Sequence, residues 1–197
     1  MSAETRGYFW LVLGGARSGK STWAQRQALL HAGRQVLYVA TALSNDHEME
    51  ARITRHRQDR AALGWRTYEV AAGSLADAIT AAPLNDIRLI LLDCATLWIS
   101  RLLWEGPDSE SDEAAEQRLM AEAEAFLRAW RAMGRDLIVV SNEVGWSVVP
   151  DTPLGRRFRD IQGRLNQRLA AAADEVVLMV AGLPLWLKHP QPRKEVP

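Results

Sequence analysis

Two rhythms alternate along the chain. Unbroken apolar runs recur at 8–13 (YFWLVL), 35–40 (QVLYVA), 87–93 (IRLILLD), 136–141 (DLIVVS) and 174–182 (DEVVLMVAG). Runs of that length, bounded by polar clusters, read as strands buried on both faces. Between them, apolar positions recur every three or four residues, the spacing of one helix face. This predicts a helix ending near residue 32, one through the arginine-rich stretch at 51–60, and a long one over 112–133. A further helix is predicted over 154–173, with Phe158, Ile161, Leu165 and Leu169 on one side. WRTYEV (65–70) alternates in polarity and is a short strand candidate, and PLWLK (184–188) is expected to pair with the strand before it. Strands separated by helices imply βαβ units: an α/β fold with a mostly parallel central sheet and helices on both faces.

Length and charge narrow the picture. The 197 residues suit a single domain, placed at 1–188, with 189–197 (HPQPRKEVP) read as a frayed tail. The acidic stretch at 105–113 (EGPDSESDE) is expected to be a solvated linker within that domain, with Ser111 or Asp112 capping the next helix. The 24 basic and 24 acidic residues balance, so no overall field steers the chain toward nucleic acid or an acidic membrane. Cys94 is the single cysteine, which excludes an intramolecular disulfide and offers no metal-ligand set. No run is long enough for a membrane span, and the N-terminus has too short an apolar segment for a signal peptide, so a cytoplasmic location is expected.

The first strand runs into GGARSGKS, comprising Gly14, Gly15, Ala16, Arg17, Ser18, Gly19, Lys20 and Ser21. This matches G-x-x-x-x-G-K-S/T in the strand–loop–helix setting that gives the motif its meaning. The glycines let backbone N–H groups turn toward phosphate oxygens, and the helix N-terminus adds partial positive charge. Lys20 reaches the β and γ phosphates, and the Ser21 hydroxyl is a magnesium ligand candidate. The fold expected is therefore a P-loop NTPase of the RecA-like kind. Asp93 ends an apolar strand at the carboxyl edge, where it completes the magnesium shell, caps the helix beginning near Ala95, or does both. Glu143 emerges at the same edge, as a group ordering a water or a substrate hydroxyl, or simply as a loop acid. The chain has no N-K-x-D guanine-reading motif after the loop, and no interleaved basic and aromatic platform for nucleic acid. A small-molecule phosphotransfer enzyme is the expected class.

The stretch ARITRHRQDR at 51–60 sets His56 among four arginines. On a helix, Arg52, His56 and Arg60 share one face, and repulsion between them calls for an anion. Taken alone, this is a solvated basic face. Beside a bound triphosphate, the arginines become a phosphate clamp and keep His56 neutral and nucleophilic toward phosphorus.

With these motifs in place, the chain resembles the bifunctional adenosylcobinamide kinase / adenosylcobinamide-phosphate guanylyltransferase family of cobalamin biosynthesis. The resemblance rests on six separated stretches, GGARSGKS, DHEMEARITRH, LLDCATLW, SNEVG, FRDIQGRLNQ and ADEVVLMVAGLP, and runs from about Leu11 to Lys188. It implies ATP or GTP as phosphoryl donor to adenosylcobinamide, then GMP transfer from GTP to adenosylcobinamide phosphate through a guanylyl-histidine at His56. It further implies Mg2+, a homotrimer, and a nucleotide site lined by Ala40, Thr41, Ala42, Arg57, Gln58, Asp59, Arg60, Glu69 and Asp93. Glu69 has a chemical reason to be there, since a carboxylate can accept from guanine N1–H and the 2-amino group. Two reactions in one site imply that the His56 segment moves. Departures from the family pattern are Ala61 where proline is common, an extra residue before Trp65, and Arg101 where asparagine is usual. They leave the substrate-side contacts open.

Other candidates carry less. His47 lacks flanking arginines, while His31 and His189 read as structural or solvent-facing. Cys94 reads as a small core residue. Most of the 8 tryptophans are expected in the core or an interface, with Trp98 or Trp146 as minor candidates for a corrin face. The arginines at 156, 157, 159, 164 and 168 read as a solvated helix face. The rival functions are a P-loop kinase of another metabolite, a RecA-like switch module, and a guanylyltransferase without kinase activity.

Overall fold

The computed structural model describes residues 6–41, 62–70, 72–107 and 109–189. Seven strands form one sheet: β1 (Phe9–Gly14), β2 (Val36–Ala40), β3 (Arg66–Glu69), β4 (Leu89–Asp93), β5 (Asp136–Asn142), β6 (Glu175–Val180) and β7 (Leu183–Lys188). Their spatial order is β3-β2-β4-β5-β1-β6-β7. All neighbours run parallel except β7, which returns antiparallel on β6. The chain adds strands to one side of β1 until β5, then crosses to its other side for β6. The carboxyl end of β1 is thus the topological switch point, where α/β sheets bind ligands.

The unbroken apolar runs have a simple cause. Alternate residues of one strand enter different cores. Phe9, Leu11 and Leu13 join one core with Leu37, Val39, Ile90, Leu92, Leu137 and Val139. Val12 joins the other with Val36, Tyr38, Leu91, Ile138 and Val140. The second core takes its helix cover from α1 (Lys20–Ala32), whose buried Ala24, Ala28 and Ala32 form a flat stripe at four-residue spacing. On the first lie α2 (Leu75–Ala81), α3 (Ala95–Trp104), α4 (Asp112–Met133) and α5 (Pro153–Ala172). Trp98, Phe126 and Trp130 are fully buried there, so Trp98 is core and not a surface for a flat ligand. Trp146 is exposed.

In the 105–113 stretch most described residues are exposed, as expected of a solvated linker, but one acid is anchored: the half-buried Glu110 accepts from Arg118 Nε at 2.8 Å and Nη2 at 2.9 Å, and pairs with Arg157. Ser111 is the cap of α4, accepting from Ala114 N at 3.2 Å. The arginine face of α5 is likewise no bare solvated surface. Arg157, Arg164 and Arg168 pair with Asp112, Glu116 and Glu124, joining α5 to α4 along their length. Arginines read as a solvated helix face are thus one half of an interhelical contact. The helix expected through 51–60 and the tail beyond His189 lie outside the described residues.

Candidate active site

Register brings the candidates to one edge. Ala40 lies opposite Glu69 on one side and Asp93 on the other, while Gly14 lies opposite Asn142 and Met179. Gly14, Ala40, Glu69 and Asp93 therefore end parallel strands of one sheet at the same edge.

From Gly14 the chain loops over residues 15–19 into α1. Arg17 and Gly19 take positive φ, 57° and 91°, which curls the loop back on itself. A side chain at Gly14 would strike Ser18 Oγ at 2.4 Å and the Met179 carbonyl at 2.8 Å, so only glycine fits. Gly182, in the tight β6–β7 turn, donates its N–H to Ser18 O at 3.0 Å and steadies the loop from the side. Lys20 Nζ folds back onto Gly15 O at 3.0 Å. Burial lowers the Lys20 ammonium below its ordinary value, opposed by Cys94 and Asp93, which raise it.

α2, α4 and α5 are capped by the side chains of Ser74, Ser111 and Thr152, whereas α1 and α3 have no side-chain cap. α1 begins at Gly19 with no side-chain cap, leaving its first N–H groups open to a phosphate.

The structure bears on the cap reading of Asp93. The cap residue of α3 is Cys94, and Asp93 does not cap the helix. Its carboxylate instead accepts from Ser21 Oγ at 3.3 Å and Tyr38 Oη at 2.8 Å. Next to it, Thr41 Oγ1 donates to Cys94 O at 2.7 Å and accepts from Cys94 N at 2.9 Å, which ties the end of β2 to the start of α3. Burial, then the Asp93 charge, push the Cys94 thiol up to about 11, so it stays protonated and inert. Ser21 and Asp93 present hard oxygen donors a hydrogen bond apart, a set that fits magnesium with waters and phosphate oxygens completing its shell.

Behind the edge lies a polar network with no individual signature in the sequence. Ser141 Oγ donates to Asn166 Oδ1 at 2.7 Å, and Gln162 Nε2 donates to both at 2.9 Å. Asn166 Nδ2 donates to Asn142 O at 3.0 Å, and Asn142 N donates to Thr96 Oγ1 at 2.7 Å. The one hint was two amides, Gln162 and Asn166, on the otherwise apolar face of α5 with Ile161, Leu165 and Leu169. Arg101 is buried, donating to Gly73 O at 3.0 Å and pairing with Glu105 at 3.3 Å. It is a scaffold group. His31 is bound to Asp136 at 2.7 Å, at the end of α1 away from the phosphate loop. Ala42, His47, His56, Arg57, Gln58, Asp59, Arg60 and Ala61 lie outside the described residues.

Comparison with known proteins agrees with this geometry. A family model described as cobinamide kinase / cobinamide phosphate guanyltransferase matches residues 10–187. The chain belongs to this family. Relatives include the bifunctional adenosylcobalamin biosynthesis protein CobU of Escherichia coli, 44% identical over 90% of this chain and 98% of that protein. CobP of Pseudomonas aeruginosa, also named a bifunctional adenosylcobalamin biosynthesis protein, is 43% identical over 90% of this chain and 96% of its own length. Among solved structures, the flagellar accessory protein FlaH of Methanocaldococcus jannaschii superposes with a TM-score of 0.53 at 14% identity, covering 94% of this chain and 80% of that one. A KaiC-like protein of Pyrococcus horikoshii gives 0.50 at 11% identity, covering 88% of this chain and 71% of that one. At such identities the likeness concerns the fold alone, and the fold is that of P-loop NTPases.

Proposed function

We propose that this chain phosphorylates the aminopropanol hydroxyl of adenosylcobinamide with ATP or GTP, then transfers GMP from GTP to that phosphate through a guanylyl-histidine at His56. The observation that carries the reading is the meeting of Ser21 and Asp93 beside an uncapped helix N-terminus, in a chain of the cobinamide kinase / guanyltransferase family. In the first reaction the alcohol oxygen attacks the γ-phosphorus, the bond to the β-phosphate oxygen breaks, and a nucleoside diphosphate leaves. Lys20 and the N–H groups of the phosphate loop neutralise the charge that builds on the phosphates. Ser21 and Asp93 hold magnesium, which screens the phosphate oxygens when bound. In the second reaction a ring nitrogen of His56 attacks the α-phosphorus of GTP and pyrophosphate departs. A phosphate oxygen of adenosylcobinamide phosphate then displaces the histidine. Arg57 to Arg60 clamp phosphates, and Ala40 to Ala42 and Glu69 line the nucleotide. The enzyme works as a cytoplasmic homotrimer.

The test is retention of label. Wild-type chain and a His56→Asn variant are incubated with magnesium and GTP labelled at the α- or the γ-phosphorus, without corrinoid, then denatured. Acid-labile, base-stable α label on the wild type and none on the variant is the expected result. Absence of α label from a wild-type chain that binds GTP would overturn the histidine step. For Glu69, Glu69→Gln is expected to erode the preference for GTP over inosine triphosphate, and an unchanged preference removes it from guanine reading.

A further inference from the structure

Glu143 stands where the two proposed reactions differ in what they need. Its N–H donates to Gly14 O at 3.1 Å, which docks the residue against the start of the phosphate loop. Its Oε1 accepts from Gly145 N at 2.7 Å, and among the described residues Oε2 takes no hydrogen bond. The preceding Asn142 is gripped from both sides, by Thr96 on its N–H and by Asn166 on its carbonyl. A half-buried carboxylate is thus held on a rigid corner, one oxygen engaged and one not.

Its place relative to Asp93 follows from the sheet. Val140 lies opposite Asp93, and Glu143 comes three residues later. At about 3.3 Å per residue, that sets Glu143 roughly 10 Å farther along, one strand over. A gap of that order accommodates a transferring phosphoryl group with its acceptor, reacting atoms being ~3 Å apart.

The acceptors differ in one proton. An alcohol must lose its proton as it attacks phosphorus, whereas a phosphate monoester is already anionic near neutral pH. We propose that Glu143 is the general base of the phosphoryl-transfer step and has no such duty in guanylyl transfer. This rests on the functional reading above. As the O–P bond forms and the β–γ bridge breaks, the hydroxyl proton passes to Glu143 Oε2, and afterwards to water. The nucleoside diphosphate leaves with the bridging oxygen.

The test uses the full chain, with adenosylcobinamide plus ATP for one reaction and adenosylcobinamide phosphate plus GTP for the other. Glu143→Gln keeps an oxygen for the Gly145 N–H, so the corner survives. Phosphorylation kcat is expected to fall by about 10²–10⁴-fold, the usual worth of a general base, with the KM for ATP within about threefold. Guanylyl transfer is expected to fall by less than tenfold, and Glu143→Asp should recover part of the phosphorylation. If a wild type that performs both reactions loses them in parallel in Glu143→Gln, or keeps phosphorylation at full rate, the role of Glu143 is overturned. A wild type that performs neither reaction overturns the functional reading itself.

Discussion

Asp136 and Asp174 stand at the amino edge of the sheet and Asp93 at the carboxyl edge, and their surroundings are opposite in kind. Asp136 accepts from the Tyr8 N–H at 2.7 Å and pairs with His31 at 2.7 Å. Asp174 accepts from the Phe9 N–H at 2.9 Å and takes the Arg6 fork at 2.7 and 3.1 Å. Each is saturated by a backbone donor of the chain entering β1 and by a cationic or ring partner. Among the described residues the Asp93 carboxylate meets only the hydroxyls of Ser21 and Tyr38, and no cation lies within ion-pair distance of it. A carboxylate matched by charge is finished structure. One held by hydroxyls is left able to pair with a cation, since a hydroxyl can turn and offer its own lone pair.

Three substitutions break or sharpen that contrast. The largest effect belongs to Lys20→Ala, expected to lower both transfer reactions by about 10²–10³-fold. Its thermal midpoint should stay within roughly 2 °C of wild type, because among the described residues Lys20 makes no ion pair. Asp93→Asn should cost on the order of 100-fold in magnesium-dependent turnover, and thermal melts should show no loss of stability. Parallel loss of stability would make Asp93 a structural acid like the other two. Asp136→Ala should do the reverse. It strips partners from the Tyr8 N–H and His31, so denaturant unfolding should show a loss of about 1–3 kcal/mol, while turnover per folded molecule stays within twofold.

The smallest effect is a pH dependence away from both edges. Hydrogen bonding from Arg118 holds the Glu110 carboxyl below its usual value of 4.5. A carboxylate whose folded value is depressed contributes stability above the unfolded value and loses it as pH falls through the folded one. The wild-type advantage over Glu110→Gln should therefore be present at pH 7 and shrink below about 4.5, as read by unfolding at several pH values. An advantage that does not change with pH would show that Glu110 acts through shape and not charge.

Much of the frame was legible in the chain. The strand beginning at Phe9, the helix from Lys20 and the long helix Asp112–Met133 are written in local periods and in the glycine, serine and lysine spacing between them. The phosphate loop was legible for the same reason, as its chemistry is contiguous. The partners of the 105–113 acids were not, because Glu110 meets Arg157 across 47 residues and charge runs look alike whether solvated or paired. Gln162 and Asn166 interrupt an apolar face, and only their meeting with Ser141 and Asn142 explains why.

The sequence by itself determined the α/β alternation, the phosphate loop at the end of β1 and the family, since each depends on residues close together or on motifs in a fixed order. Tertiary structure alone decided that Asp93 faces Ser21 and Tyr38 and caps nothing, that Gly182 steadies Ser18, and that Glu143 docks on Gly14. The physical reason is strand register. A shift by one residue in the pairing of β4 or β5 would turn these side chains to the opposite face, and that pairing is fixed by two packed cores rather than by any local run of residues.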